Sequence, residues 1–361
     1  VFTYDSGDFE KNLCDCVANS NYVGFPERRT RSEASGKLRG IGITNTIERT
    51  AGGMIETAQI RFDIGGTMTL LMGTSDHGQG HRTTFKQIVS ERLGLEPKNI
   101  LYRDSDSDLI QAGTGTFGSR SAPCGSAAIE LAINKIIDKG KFIVAHLLEA
   151  AEDDIAFADG RYTVAGTDRA IDLAEVARTA YQKPKLPPEV EPGLYEHGEF
   201  GMGQGDAPTY PNGCHLAEVE IDADTGKVVL VRYCAVDDAG NILNPILFDG
   251  QVHGGIVQGA GQALWEGVVY DDNGQLLTGS MLDYALPKAH LLPNIEVLNT
   301  VTPSPHNPLG VKGIGEAGTI ASTVTVYNAV LDALRPLGVT SIDMPFTPER
   351  VWRAIEDAKG N

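Results

Sequence analysis

Hydrophobic and polar positions alternate along the chain with two periods, and the switches between them outline its elements. Residues 9–19 read as a short helix, and 27–36 (ERRTRSEASG) as a polar connector or helix end. Strand-like runs follow over 38–48, 56–63 and 66–74, with Gly65-Gly66 as a hairpin turn between the last two. From His81 to Leu93 the apolar residues Phe85, Ile88, Val89 and Leu93 fall at helical spacing, and Gly94 stops that helix. A strand is predicted at 99–102 and a long helix over about 123–150, reached through the glycine-rich run GTGTFGSRSAPCG. A hairpin (IAFADGRYTVAG) and a helix over 172–181 complete this half.

YQKPKLPPEVEPG then places four prolines in thirteen residues, which marks a break. This divides the chain into a connector over 1–37, a first subdomain over 38–190 and a second over 191–361. The second half opens with two β-rich runs around Asp224-Thr225-Gly226, a hairpin signal. GQVHGGIVQGAGQALWEGVV (250–269) reads as a glycine-rich lead-in to a helix, and Val269, Tyr270 and Gly274 suggest another hairpin. GVKGIGEAGTIAS leads into a helix with Ile320, Val324, Tyr327, Leu331 and Leu334 along one face, and 345–358 supplies a last helix. Hairpins and helices without strict alternation predict the α+β class: two layered subdomains of hairpins covered by helices, related by a weak internal echo.

Composition narrows the classes. The 361 residues are 41% hydrophobic and 22% charged, as in globular proteins with a large core. No apolar run spans a bilayer. The N-terminus, VFTYDSGDFEKN, has neither the basic flank nor the apolar core of a signal peptide and does not begin with Met, so it reads as the start of a processed or truncated piece. With 30 basic and 48 acidic residues the net charge is −18, which argues against nucleic-acid binding. The five cysteines form no zinc or iron–sulfur pattern, so free thiols in a reducing, cytoplasmic compartment are expected.

Four times the chain runs through glycines toward a helix, at 78–81, 115–121, 250–261 and 310–318. Helix N-termini expose unpaired N–H groups and partial positive charge, which suits anions. Gln79, Thr116, Ser119, Ser121, Gln251 and Gln258 add neutral hydrogen-bonding groups, and Arg120 and Lys312 add point charges. That inventory suits a large polar ligand with phosphates and heterocyclic edges. No P-loop is present, GVKGIG is not a strict GxGxxG, no HExxH or GxSxG occurs, and metal binding through His77, His81, His215 and His253 is not expected. His253 reads as a supporting donor or a satisfied imidazole, and Cys124 as a packed thiol. Glu316, among four glycines, has two readings. One is helix-dipole stabilisation; the other is a general base whose pKa rises toward neutral in a water-poor loop.

Several long motifs resemble a known family. DHGQGHRTTFKQI (76–88), GTGTFGSRSA (113–122), NGCHLAEVEIDADTG (212–226), DDAGNILNPILFDGQVHGGIVQGAGQALWE (237–266), LLTGSMLDYALPKA (276–289) and NPLGVKGIGEAGTIAS (307–322) occur in the order found in molybdenum hydroxylases. The chain resembles the C-terminal half of their molybdopterin-binding large subunit, as in xanthine dehydrogenase, aldehyde oxidoreductase and carbon monoxide dehydrogenase, with wording closest to the bacterial carbon monoxide dehydrogenase type. The resemblance implies that both subdomains bind molybdopterin. It places Gln79, Gly80 and His81 in a loop holding the pterin. Thr116, Phe117, Gly118, Ser119, Arg120 and Ser121 fall at phosphate and nucleotide contacts, Gln251 in another cofactor loop, and Lys312, Gly313 and Gly315 in a backbone cradle. Glu316 becomes the active-site base.

The implied cofactor is molybdenum-molybdopterin, with the cytosine dinucleotide as one form. Iron–sulfur clusters and FAD are expected on partner chains or domains. The implied partners are the N-terminal half of the molybdopterin subunit, an iron–sulfur subunit, an FAD subunit and a small-molecule substrate. The upstream GGGFGxK-type motif of the family and its substrate-facing loop have no counterpart here. An aldehyde, an N-heterocycle or carbon monoxide therefore stays open as substrate, and the chain alone is expected to be cofactor-free and inactive. A non-catalytic scaffold, or a phosphate-binding enzyme unrelated to molybdenum, are the other readings.

Overall fold

A computed structural model describes residues 3–50, 54–201 and 208–360. The elements in chain order are α1 (Phe9–Asn19), α2 (Phe25–Ala34), β1 (Lys37–Ile47), β2 (Ile55–Phe62), β3 (Met68–Met72), α3 (His81–Leu93), β4 (Ile100–Asp104), α4 (Ser126–Leu148), β5 (Ile155–Ala158), β6 (Arg161–Val164), β7 (Ala170–Asp172) and α5 (Leu173–Thr179). They continue with β8 (Tyr195–Gly201), β9 (Asn212–Asp222), β10 (Val228–Asp238), α6 (Pro245–Leu264), β11 (Ile295–Thr300), α7 (Ala317–Leu334) and α8 (Pro348–Lys359). The chain divides into two compact units. One comprises Val1–Arg49, Tyr210–Pro303 and Ile314–Asn361; the other comprises Thr50–Thr209 and Ser304–Gly313. The mixed helices and sheets are those of the expected α+β class.

The first unit is a sheet of order β1-β9-β10-β11, buried on both faces. On one face Ala217, Val219, Tyr233 and Ala235 join a core with Val252 and Ile256 of α6 and Val326, Ala329 and Val330 of α7. On the other, Cys214, Leu216, Cys234 and Val236 pack with Cys16 of α1. Strands β9 and β10 close the hairpin at Asp224-Thr225-Gly226. Two expectations change here. Ile320 and Val324 are exposed, while the buried stripe of α7 is Ala317, Gly318, Ala321, Ser322, Thr325, Ala329 and Ala333 with Val326, Val330 and Leu334. The reason is close approach: a Cβ on Gly42 of β1 would sit 2.6 Å from Ala329 N, and one on Gly318 would sit 2.6 Å from Val252 O. Helices that lie this near a sheet and each other carry small residues at the contact and push bulky ones outward.

The second unit is a sheet of order β4-β3-β2-β8 with α3 and α4 against it and a small sheet β5-β6-β7. The β2–β3 hairpin turns at Gly65-Gly66, and Gly94 ends α3 in the left-handed conformation with its N–H on Ser90 O. Ile60, Phe62, Leu70 and Met72 are buried with Ile129, Ile133 and Ile136 of α4. The contact-based division differs from the linear one. The stretch 1–37 holds α1 and α2 rather than a bare connector, and the proline-rich run near 190 lies inside the second unit. Pairing decides this: Lys37–Ile47 runs antiparallel to Asn212–Asp222, so strands far apart in sequence share one sheet, whereas β8 returns to β2.

Candidate functional site

The second unit gathers two of the glycine-rich stretches, 78–81 and 115–121, with the first residues of a third, Gly310 to Gly313. Ahead of α3, the Asp76 carboxylate accepts from Gly78 N (2.9 Å), Gly80 N (3.4 Å) and Arg82 N (3.2 Å). Burial pushes the Asp76 carboxyl up, and these backbone N–H groups outweigh it and hold it below its ordinary value. The α3 N-terminus, expected to be open to an anion, is thus already served by a side chain of this chain. Gln79 is also engaged: its Oε1 accepts from His77 N (2.5 Å) and its Nε2 donates to Ser75 O (3.2 Å). His81 is buried, which depresses its imidazole pKa against the raising pull of Asp76 and Asp104, and its Nδ1 finds no hydrogen-bond partner among the described residues.

The second stretch is tied to the first. Thr116 Oγ1 accepts from Ser75 N (3.0 Å), reaches Ser75 O (2.7 Å) and lies 3.0 Å from Ser121 Oγ. Arg120 was expected as a point charge for a ligand. Instead it is 2% exposed, pairs with the fully buried Glu56, and donates to Gly115 O (2.8 Å) and Met54 O (3.0 Å). A guanidinium fork in such a place staples the loop to β2. Lys312 is likewise buried, at 1%. Gly313 completes the cluster: a Cβ there would lie 2.8 Å from Ser119 C, so this stretch packs backbone to backbone. Ser119, with φ 51°, holds the left-handed conformation that permits this. Phe117 remains exposed on the loop.

A direct test of whether this loop suits a bulky polar ligand is the space at its glycines. Gly115 (φ 89°) and Gly118 (φ 54°) need the left-handed region, and a Cβ on either would meet no atom within 4 Å. The loop therefore presents bare backbone outward, which fits close approach by a ligand's phosphate or heterocycle. Arg120, spent on Glu56 and backbone carbonyls, is not among the groups it presents.

In the first unit, Gln251 is not in a loop but in the second turn of α6, which starts at Pro245 with Asn244 Oδ1 accepting from Leu247 N (3.0 Å). The glycines of 250–261 lie inside a helix. A Cβ on Gly255 would sit 3.0 Å from Gly318 Cα and one on Gly259 2.8 Å from Thr319 O, so these two serve the α6–α7 contact, whereas a Cβ on Gly250 or Gly254 would meet no atom within 4 Å. From α6, Gln251 Nε2 donates to Gly315 O (2.7 Å), holding the backbone one residue before Glu316. Glu316 occupies the N-cap position of α7: its carbonyl accepts from Thr319 N (3.1 Å) and Ile320 N (3.0 Å), while its side chain does not cap the helix. The side chain is exposed, not enclosed in the water-poor loop expected. Gln251, Gly315 and Glu316 thus form one group in the first unit, and Gln79 to His81, Thr116 to Ser121, Lys312 and Gly313 another in the second.

The remaining candidates settle as structural groups. His215 is fully buried between Tyr233 Oη (2.9 Å) and Asp237 Oδ2 (3.0 Å), and His253 faces the carbonyls of Asp249 (2.7 Å) and Ile295 (3.2 Å). Burial pushes the Cys124 thiol up to about 11, as suits a packed thiol. Among the described residues, no group of three or more His, Cys, Asp and Glu side chains could hold a metal, and no helix is long and apolar enough to cross a membrane. Sequence reading missed Asp76 and Glu56. The signal for Asp76 was its place two residues before Gly78, as in an Asx turn; Glu56 had none, since only the fold brings it to Arg120.

The family described as molybdopterin cofactor-binding domain matches residues 15–293. The chain is 37% identical over 376 residues to the carbon monoxide dehydrogenase large chain of Hydrogenophaga pseudoflava, covering 99% of this chain and 46% of that one. It is 34% identical to the 6-hydroxypseudooxynicotine dehydrogenase complex subunit gamma of Paenarthrobacter nicotinovorans, covering 97% and 44%. Among solved structures it matches the Cu,Mo-CO dehydrogenase with TM-score 0.90 at 33% identity, covering 99% of this chain and 46% of that one. It matches quinoline 2-oxidoreductase from Pseudomonas putida 86 with TM-score 0.88 at 33% identity, covering 97% and 46%. The chain spans about half the length of the relatives it matches.

Proposed function

Because the chain belongs to the molybdopterin cofactor-binding domain family, we propose that it is the glutamate-bearing part of a molybdenum hydroxylase, an oxidoreductase that hydroxylates an aldehyde, N-heterocycle or related small molecule with oxygen from water. The observation that carries this reading is Glu316. It sits at a helix N-cap without capping the helix, and its backbone is fixed from α6 through Gln251. A carboxylate placed for the helix alone would bond the N–H groups of the first turn.

When bound, molybdenum-molybdopterin, with the cytosine dinucleotide as one form, would supply the two-electron redox chemistry. The residues of this chain do the rest. The bare backbone at Gly115 and Gly118, with Phe117, Ser119 and Ser121 of the same loop, would hold the phosphate and nucleotide end, and the loop of Gln79, Gly80 and His81 would hold the pterin. Thr116 and Arg120 hold that loop in shape rather than bonding the cofactor by their side chains. Lys312, Gly313 and Gly315 would cradle the cofactor through their backbone. The Glu316 carboxylate accepts a proton at Oε from the attacking oxygen, and the helix dipole of α7 biases its charge. Iron–sulfur and FAD partners would take up the electrons, and the rest of the large subunit would cover Glu316 from solvent; the chain alone should then carry no cofactor.

The deciding experiment is Glu316→Gln in the assembled enzyme. Loss of a positioned general base should lower turnover by about 100-fold to 10,000-fold while molybdenum content stays at the wild-type level. Wild-type turnover in that variant would exclude the base role.

A further inference from the structure

We propose that the segment from Val268 to Leu286 is a preformed docking strip on the first unit, and that its occupant is the part of the large subunit lying outside this chain. The proposal rests on the reading that this chain works within a longer large subunit.

Large apolar side chains are concentrated there. Of the 26 exposed ones among the described residues, eight fall within these nineteen residues, and Met281 and Leu282 are 77% and 93% exposed. The segment forms no long strand or helix, yet it is tightly held. Leu277 N donates to Val269 O (2.8 Å), and Tyr270 bridges Leu276. Asp271 Oδ1 accepts from Asn273 N (2.9 Å) and Gln275 N (2.8 Å). Val269 N bonds Thr278 Oγ1 (3.0 Å), Tyr284 N bonds Ser280 O (2.9 Å), and Ser280 Oγ donates to Asp283 Oδ2 (2.6 Å). The polar side chains satisfy the turns and leave the apolar ones facing water. A surface ordered in advance loses little entropy on binding, and large apolar side chains left exposed together in one segment mark a candidate interaction site.

Two observations choose the occupant. The chain accounts for 46% of the length of the relative it matches at 37% identity, so more than half of such a subunit remains to be packed against it. An obligate interface of that kind resembles a core cut in half, which is the character of this strip. A second copy is disfavoured by the net charge of −18, which sets like charges against each other. The same charge repels an anionic membrane.

The test uses this chain and, as probe, the polypeptide from the same genome that matches the remaining length of the relatives. Affinity is measured by calorimetry, with light scattering to fix stoichiometry. Met281→Asp with Leu282→Asp should weaken one-to-one binding by at least about 100-fold, the scale of interface hot spots. Val23→Asp, at an exposed apolar residue far along the chain from the strip, should leave binding unchanged. If the double variant melts below the wild type, Leu282→Ser alone carries the comparison. Wild-type affinity in the strip variants, or a dimer of this chain that the strip variants abolish, would overturn the proposal. Molybdenum content of the reconstituted pair is read separately: a pair that forms through the strip but takes up no molybdenum refutes the functional reading and upholds the strip.

Discussion

Two alanine substitutions on α6, five residues apart, should move stability in opposite directions. Gly254 is exposed on the helix, and a Cβ there would meet no atom within 4 Å. Gly254→Ala should therefore show the bare helix-propensity gain, about 0.5–1 kcal/mol. Gly259 is buried against α7, where a Cβ would lie 2.8 Å from both Thr319 O and Thr323 Oγ1 and closer still to Ser322 Oγ. Ser322 and Thr323 can rotate, but Thr319 O is backbone. A carbon–oxygen contact needs about 3.3 Å, so α7 must retreat by roughly half an ångström. Overpacking of this kind costs about 1–3 kcal/mol, and subtracting the propensity gain leaves Gly259→Ala destabilised by about 0.5–2 kcal/mol. The two variants should then differ by roughly 1–3 kcal/mol, which for a unit of this size separates their melting temperatures by about 2–12 °C. Circular dichroism melts and urea titrations at one pH measure it. If both substitutions raise the melting temperature, the α6–α7 contact described above is wrong.

Arg120→Ala should destabilise the second unit by about 3–5 kcal/mol, because it strands the buried Glu56 carboxylate; a urea midpoint shift worth under about 1 kcal/mol would show that the pair is not enclosed. Asp76→Ala should cost about 0.5–2 kcal/mol by uncapping α3, with Asp76→Asn recovering most of it in thermal melts. Glu218, whose side chain is fully buried, should make stability fall in acid. Burial raises its carboxyl pKa, but Arg28 (2.5 Å) and Arg39 (2.7 Å) outweigh that and hold it below the ordinary 4.5. A depressed folded pKa means that this contribution is complete above about pH 4.5 and is lost as pH falls through the folded value. Urea midpoints from pH 7 to 3 should decline more steeply for the wild type than for Glu218→Gln.

Local pattern was legible where a residue's role depends on its neighbours in sequence. The α3 stripe of Phe85, Ile88, Val89 and Leu93, the stop at Gly94 and the hairpin turns at Gly65-Gly66 and Asp224-Thr225-Gly226 all appear as the periodicity and turn chemistry require. Strand β8 and strand β11 were not read, since YEHGEFG lacks apolar alternation and IEVLNT runs parallel to β10 in a register that only the sheet defines. Leu334 is buried as the helical spacing requires and Tyr327 packs against the core, but Ile320 and Val324 of α7 point outward, whereas amphipathic reading assumes that large side chains point inward. Here the helix lies too near Gly40 and Gly42 for them to do so.

By itself the sequence determined the α+β class, most element positions, the family through its long motifs, and Glu316 as the carboxylate at a helix start. These follow from period, turn residues and motif order, which are local properties. The tertiary structure decided what each polar group is spent on. Arg120 turned inward to Glu56, Asp76 closed the α3 terminus, and Gln251 reached from a helix to Gly315. It also set the membership of the two units, because Lys37–Ile47 pairs with Asn212–Asp222. Which partner a charge or a strand finds depends on distances between segments far apart in the chain, and no local period encodes those distances.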